Sequence, residues 1–205
     1  MRNVVVTRVQ CSGPPKGSRN LEERLMVRFP SLYRRLAALA QRRLLIPRSR
    51  LRQAILRRGN TSAWAAFNRR DFELMLVRYA SDVEFEFDPG EQTLGLSGTF
   101  RGHEAMAEAL GELIEGWGQF ELEPAYILDL GDRVLALGFQ HARGHASGVQ
   151  LEQEVAQLVT VREGLVVRDV HFFTWEEGLG AAGLDRDTVA LPVRGKTSQT
   201  ARSAG

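Results

Sequence analysis

The spacing of hydrophobic positions changes along the chain and predicts helices followed by strands. In four segments apolar residues recur every three or four positions, which is the spacing of one buried helix face. These segments are Pro30–Ile46, Ser49–Asn68, Phe72–Tyr79 and His103–Trp117. Gly59-Asn60 lies inside the second helix, where glycine costs about 1 kcal/mol relative to alanine, so we expect a kink or break there.

Alternation of apolar and polar residues predicts strands in the remaining segments. A short strand, Val83–Asp88, ends at Pro89-Gly90, and a short helix, Glu176–Ala182, follows the last strand. Four longer strands joined by tight turns form an antiparallel meander: Phe120–Leu130, Arg133–His145, Val149–Arg162 and Val166–Trp175. We therefore predict an α+β fold, in which a curved antiparallel sheet wraps around the N-terminal helices and leaves a cavity at its open end.

Composition divides the chain into three parts. Residues 1–47 are a basic N-terminal extension, an irregular leader followed by the first helix. Residues 48–184 contain the predicted domain, and residues 185–205 are expected to be a disordered tail.

Cys11 is the only cysteine, so no disulfide can form within the chain, which is typical of a reducing cytoplasm. No apolar run approaches the roughly 18 residues needed to span a bilayer.

Charge is distributed unevenly, although the net charge is only +2. Residues 1–70 contain 17 of the 27 Lys and Arg residues and two of the 25 Asp and Glu residues. The preferred interpretation is that the basic helix Pro30–Ile46 packs on the acidic body of its own chain or of a partner. A peripheral membrane contact through its leucines and arginines is the second interpretation. Nucleic-acid binding is not expected, because no recognised motif or row of stacking aromatics accompanies the charge.

Short motifs in the predicted domain resemble those of one protein superfamily. Ala65–Phe72 is similar to a helix–turn–helix junction, and Gly98–Glu104 to an Arg-Gly turn that precedes a helix. The turns Gly131–Val134 and Arg162–Gly164 and the closing helix at Glu176–Leu179 follow in the matching order. This set resembles SnoaL-like, nuclear transport factor 2-like proteins. The resemblance implies a cystatin-like cone around one pocket, in a fold that hosts isomerases, cyclases, hydrolases and non-catalytic binders.

The resemblance also allows a test against ketosteroid isomerases, which belong to the same superfamily. Their general base is a carboxylate just before a proline, and Asp88 before Pro89 matches it. Their oxyanion donors, a tyrosine and a protonated acid, fall at Ala63 and Gln157. The tyrosine is therefore missing, while the amide of Gln157 retains the ability to donate a hydrogen bond.

A second comparison concerns limonene-epoxide hydrolases, which use an Asp–Arg–Asp set to activate water and protonate the epoxide. The matching positions here hold Gln140, Gly138 and His171. Both carboxylates and the arginine are absent, so we do not expect that mechanism.

Strand parity directs several polar side chains toward the same interior. Asp169, His171 and Phe173 share one face of the last strand, because alternate residues of a strand point the same way. Gln157 and Gln140 lie on the corresponding faces of the two strands before it. A mostly apolar cavity with a few converging polar groups is typical of a small-molecule site. These five residues are predicted to line the pocket.

The predicted catalytic residues are Asp88 and His171, because a histidine titrates near neutral pH and an apolar pocket raises the pKa of a carboxyl. Trp117 is placed at the rim as a further ligand contact. Each of these residues has a structural alternative. His171 would be a core histidine satisfied by a neighbouring glutamine, Asp88 a turn residue before Pro89, and Trp117 a packing residue at the rim. No metal site and no cofactor are predicted, since no further ligand is spaced to help the exposed histidines.

Two functions remain open at this point. The first is an enzyme that acts by proton transfer on a small, largely apolar molecule. The second is a non-catalytic pocket or dimerisation module whose basic N-terminus determines its location or partner. A homodimer is expected under either, because Leu135, Leu137 and Phe139 fall on the presumed outer face of the sheet and relatives commonly pair through that face.

Overall fold

The helices follow the predicted segments closely, and their caps explain where they begin. A computed structural model describes residues 5–8, 18–43, 49–87, 98–115, 117, 119–144, 150–189 and 191. Its helices are α1 (Leu21–Arg28), α2 (Pro30–Arg43), α3 (Arg50–Asn68), α4 (Phe72–Val77), α5 (Gly102–Glu115), α6 (Trp175–Ala182) and α7 (Arg186–Val189). The side chains of Ser49, Asp71 and Thr174 cap the first turns of α3, α4 and α6. Within these described residues, no helix is long and apolar enough to cross a membrane.

Helix α3 is continuous, so the break expected at Gly59-Asn60 is wrong. The carbonyl of Gly59 accepts a hydrogen bond of 2.7 Å from Arg78, and Arg78 also donates to the hydroxyl of Ser62. Burial of four residues at the C-terminal end of the helix adds tertiary stabilisation. These contacts outweigh the roughly 1 kcal/mol that glycine costs in a helix.

The strands form one seven-stranded sheet across the described residues. They are β1 (Val5–Arg8), β2 (Tyr79–Phe87), β3 (Gly98–Arg101), β4 (Gln119–Asp129), β5 (Arg133–Arg143), β6 (Gln150–Arg162) and β7 (Leu165–Phe172). Their order is β1-β4-β5-β6-β7-β2-β3, and only β2 and β7 run parallel. The α+β fold and the antiparallel meander are confirmed.

Several elements differ from the sequence-based expectation. Strand β1 pairs with β4, although residues 5–8 were assigned to an irregular leader, and α1, β3 and α7 were not predicted. Tyr79 begins β2 instead of ending α4, and Trp175 begins α6 instead of ending β7. The predicted end of the first helix, residues 44–46, lies outside the described residues. The division into extension, domain and tail stays a prediction.

Helices cover both faces of the sheet, and each face has its own hydrophobic cluster. On the inner face α3 packs on β4 and α5 packs on β2. On the outer face, Leu135, Leu137 and Phe139 are buried under Trp175 and Leu179 of α6. These three side chains are therefore covered by the chain itself and do not form the exposed apolar face that motivated a homodimer. The homodimer stays a prediction without that support.

Buried ion pairs attach the N-terminal helices to the rest of the domain. Arg52 of α3 donates two hydrogen bonds, of 2.5 and 2.6 Å, to Asp129 at the end of β4. Glu23 of α1 is 4% exposed and accepts hydrogen bonds from Ser62 and Arg69. The pKa of Glu23 is lowered, because these hydrogen bonds and that from the Asn20 backbone outweigh the opposing effect of burial. Part of the basic charge is thus neutralised within the chain.

Candidate functional site

A small cavity lies between the inner helices and the sheet. Its free volume for water-sized molecules is about 30 Å³, and the hollow including its open mouth is about 450 Å³. Its apolar walls combine aliphatic side chains of α5, β4 and β6 with six aromatic ones, which are Trp64, Phe67, Phe87, Phe120, Phe172 and Phe173. Three polar side chains interrupt these walls, and they are Gln140, Gln157 and His171. This combination of apolar walls and few polar groups is typical of small-molecule sites.

Gln157 is held in one orientation by hydrogen bonds on both sides of its amide. The indole N–H of Trp64 donates to Oε1 of Gln157 at 3.1 Å. The amide nitrogen, Nε2, therefore faces the other way and donates to Oδ2 of Asp169 at 2.7 Å. This arrangement fixes a donor group, rather than an acceptor, next to the carboxyl of Asp169.

Asp169 lies beneath the cavity wall and is fully buried, with 0% of its surface exposed. Its Oδ2 also accepts a hydrogen bond of 2.6 Å from the hydroxyl of Tyr79, the first residue of β2. Burial and the nearby Asp169 carboxyl raise the pKa of Tyr79 well above its usual value, so the phenol stays a hydrogen-bond donor at neutral pH. Two fixed donors thus compensate for the burial of this carboxyl.

His171 brings a titratable ring to the same carboxyl. Its Nε2 is 3.2 Å from Oδ1 of Asp169 and 3.4 Å from the amide nitrogen of Gln157. Oδ1 is buried and receives no aligned hydrogen bond from the described residues, so this contact is a close approach rather than a formed hydrogen bond. The imidazole and the buried carboxyl thus form a close His–Asp pair beside the cavity.

The imidazole ring is also held by aromatic contacts on β2. Its centre lies 4.9 Å from that of Phe85 and 5.4 Å from that of Phe87, both at tilted angles. Phe87 pairs with His171 in the parallel register of β2 and β7. The ring is thus positioned by packing as well as by polar contacts. Its Nδ1 makes no hydrogen bond within the part of the chain that the structure describes, which leaves that nitrogen for a ligand.

A second amide pair lies on the neighbouring strands. Nε2 of Gln140 donates to Oε1 of Gln153 at 2.9 Å, and Gln153 donates to the carbonyl of Phe173 at 3.1 Å. Gln140 is 2% exposed, so it lines the cavity as part of a connected polar network. The same hydrogen bonds fix the end of β7, where Phe173 enters the cavity wall.

Gly138 lies at the back of the cavity, between two tryptophans. A Cβ atom at this position would overlap the ring of Trp64 and the carbonyl of Glu123. On the other side of the strand, the Gly138 carbonyl accepts a hydrogen bond of 2.8 Å from the indole of Trp175. A larger side chain, such as the arginine of the epoxide hydrolases, therefore has no room at this position beside Trp64.

The structure brings together most of the residues that sequence parity selected. Gln140, Gln157, His171 and Phe173 line the cavity, and Asp169 lies directly beneath His171 and Gln157. By contrast, the half-buried Trp117 packs against the inner hydrophobic cluster and does not line the cavity. Asp88 lies outside the described residues.

Two functional residues were missed by the sequence reasoning. Trp64 was passed over because it is a single aromatic among alanines on α3. Tyr79 was assigned to the end of a helix, so its direction toward β7 was not considered. The pairing of β2 with β7 shifts its register between Tyr79 and Glu84, and no periodicity in the sequence reveals that shift.

The placement of the potential metal-ligating side chains gives no support for a metal site in the described part of the chain. Over the described ranges, no group of three or more His, Cys, Asp or Glu side chains is placed to hold a metal ion. His141, on the outer side of β5, contacts Glu123 at 3.2 Å and Glu152 at 3.9 Å. These contacts are those of a surface ion pair.

Fold and site together define an α+β cone protein with one aromatic pocket and a His–Asp pair at its base. Residues 61–169 match the SnoaL-like domain, and the chain belongs to this family. Comparison with curated proteins gives no match.

Solved structures with the same fold support this assignment. TerC, co-crystallized with polyporic acid, is 25% identical with a TM-score of 0.52, and the match covers 65% of this chain and 97% of TerC. An NTF2-like protein from Burkholderia pseudomallei is 22% identical with a TM-score of 0.53, over 60% of this chain and 93% of its own. Bal32a, from a soil-derived mobile gene cassette, is 21% identical with a TM-score of 0.50, over 57% and 86%. The chain therefore has the pocket fold of SnoaL-like and NTF2-like proteins.

Proposed function

We propose that the protein binds a small, largely apolar aromatic molecule in the cone cavity, and that His171 exchanges a proton with it. The observation that carries this proposal is the contact between His171 and Asp169 at the base of an aromatic pocket, with Nε2 and Oδ1 3.2 Å apart. Aromatic walls favour a planar ligand, because ring faces and edges pack well against such a surface. The co-crystal of TerC with polyporic acid supports a ligand in this kind of fold.

The roles within the site follow from its hydrogen bonds. Asp169 orients the ring and balances its charge when the ring is protonated, while Tyr79 and Gln157 hold the carboxyl in place. Gln140 offers a polar contact to a ligand oxygen at the wall. We propose Asp88 as the second acid–base group, because it directly follows Phe87, the strand partner of His171. Trp117 contributes to the apolar surroundings rather than to ligand contact.

In this mechanism the proton moves between the ligand and the His–Asp pair. His171, in its neutral form, takes a proton from an acidic C–H or O–H of the bound molecule, and Asp169 stabilises the imidazolium that results. The ring then returns a proton to an atom of the ligand, and exchange of the imidazolium with solvent allows deuterium to enter the ligand in deuterated water.

Binding is tested first, by calorimetric titration with polyporic acid as the probe. We expect wild-type protein to bind it and His171→Gln to bind about tenfold more weakly, since one hydrogen bond is worth about 1.4 kcal/mol. The matched control is His141→Gln, which removes a histidine from the outer side of β5 and should leave binding unchanged. Equal binding by all three proteins would contradict a role for His171, and no binding by wild type would reject this ligand class.

Proton transfer is tested separately with acetophenone, an aryl ketone whose methyl protons exchange with solvent. In deuterated water, NMR should show protein-dependent loss of the methyl signal, with a rate that falls at least tenfold in His171→Gln. The His141→Gln control should exchange at the wild-type rate.

The second candidate is a binding module without chemistry. It is favoured by the small free volume of about 30 Å³ and by the full burial of Asp169, which keeps that carboxyl from touching a ligand. A protein that binds polyporic acid, yet gives no more exchange than buffer, would support this function over the enzyme.

A further inference from the structure

The N-terminal helices carry an apolar surface that the domain does not cover. Five large apolar side chains, each 49–56% exposed, recur at alternating spacings of four and three residues: Leu25, Phe29, Leu32, Leu36 and Leu39. At 100° per residue Leu32, Leu36 and Leu39 share one face of α2, while Leu25 lies on α1 and Phe29 lies at the non-helical junction between the two helices. We call these five exposed side chains the leucine stripe. Scattered single apolar residues on a surface are ordinary, but an exposed apolar helix face favours an interaction.

The opposite side of α2 is fixed to the domain, so the stripe cannot turn inward. Gln41 donates to the carbonyl of Val161 at 3.2 Å and accepts from the backbone N–H of Gly164 at the β6–β7 turn. A Cβ atom on Gly164 would overlap Ala37, which shows how closely the helix approaches that turn. Ala37 and Gln41 lie more than 90° around the helix from Leu32 and Leu36 at 100° per residue.

A row of arginines borders the stripe on its free side. Arg35 and Arg42 are exposed and seven residues apart, so they lie on one side of the α2 leucines, and Arg28 is exposed at the end of α1. Arg42 pairs with Glu163, whereas Arg28 and Arg35 have no ion pair with any described residue. Residues 18–43 contain two acids, and both are engaged: Glu23 is buried and Glu22 pairs with Arg58. The surface is therefore apolar and cationic.

This charge pattern argues against a second copy of the chain as the occupant. If two copies packed stripe against stripe in one orientation, their arginines would lie close together. In the other orientation, the arginines of each copy would meet the side of α2 that is already fixed to the domain. Neither arrangement supplies carboxylates to the arginines. A nucleic acid would satisfy the arginines and leave the leucines in water.

We propose that the leucine stripe binds the surface of an anionic phospholipid bilayer, with the leucines among the acyl chains and the arginines at the phosphates. Both features of the surface are then satisfied at once, because apolar burial and attraction to anionic lipids add in interfacial helices.

The test is co-sedimentation of the full chain with vesicles of phosphatidylcholine alone and of phosphatidylcholine mixed with phosphatidylglycerol. We expect binding to the mixed vesicles, weakened by salt, and little binding to the neutral ones. Leu32→Gln/Leu36→Gln should abolish binding, and Arg28→Gln/Arg35→Gln should weaken it about fivefold for each arginine. All four residues are exposed, so the variants should keep the wild-type melting temperature.

Arg143→Gln is the matched control, because it removes an exposed arginine from β5 and should bind like wild type. Equal sedimentation of wild type and Leu32→Gln/Leu36→Gln would overturn the proposal. So would binding that ignores lipid charge. A concentration-dependent dimer of wild type that the leucine variant abolishes, without vesicle binding, would assign the stripe to a second copy instead.

Discussion

The hydroxyl of Tyr79 gives the sharpest test of the buried network, because Tyr79→Phe removes one oxygen and keeps the ring. The hydroxyl group donates a hydrogen bond of 2.6 Å to the carboxyl of Asp169, which is 0% exposed. A hydrogen bond to a charged group contributes about 1.5–3 kcal/mol, and Gln157 continues to donate to the same oxygen of Asp169. We therefore expect a loss of about 2 kcal/mol, which corresponds to a fall of about 4–8 °C in melting temperature for a chain of this size.

The assay is equilibrium unfolding in urea, followed by tryptophan fluorescence at neutral pH. Tyr126→Phe is the control, since Tyr126 is also buried and its hydroxyl makes no hydrogen bond with the described residues. The slope of the transition should be the same for all three proteins, so that the midpoint reports stability alone. If Tyr79→Phe and Tyr126→Phe lose the same stability within about 0.5 kcal/mol, the network does not stabilise the fold as reasoned.

Two further predictions concern the framework of the site. Gly138→Ala should cost about 3 kcal/mol, the upper end for overpacking, because the methyl group overlaps the ring of Trp64 and a backbone carbonyl; a wild-type thermal midpoint would refute this. Asp129→Asn should cost about 3–5 kcal/mol at neutral pH, because Arg52 keeps its charge in a buried position. Burial alone would raise the pKa of Asp129, but the hydrogen bonds from Arg52 outweigh burial and lower that pKa. The stability that Asp129 contributes is therefore fully present above its unfolded pKa of about 4. It is lost as the pH falls through the lower pKa of the folded state. Urea titrations at neutral and acidic pH should therefore show the cost of Asp129→Asn shrinking in acid.

The sequence was sufficient for the main elements because their patterns are regular. The four long strands were bounded closely enough for parity to place Gln140, Gln157 and His171 on the face that lines the cavity. The last strand was predicted to run to Trp175, but it ends at Phe172, and Thr174 caps a helix that begins at Trp175.

The rest of the site depended on tertiary contacts that leave no periodic signal. Tyr79 reaches Asp169 across a parallel pair of strands whose register shifts after that residue. Similarly, the outer face appeared apolar and exposed in the sequence, because nothing in β5 shows that α6 returns to cover it. Tyr79 and Asp169 are far apart in the sequence, so the sequence alone does not show that they are partners. For that reason the buried tyrosine was assigned to the end of a helix.

The position of Gly138 has a consequence for how ligands enter. Trp64 presses on this residue from inside the cone, and Trp175 is hydrogen-bonded to its carbonyl from outside, so a single peptide unit separates the pocket from the outer layer of helices. A ligand that displaced Trp64 would therefore act on the same strand residue to which Trp175 is hydrogen-bonded. The fluorescence of Trp175, at the start of α6, would then report on what the cavity holds.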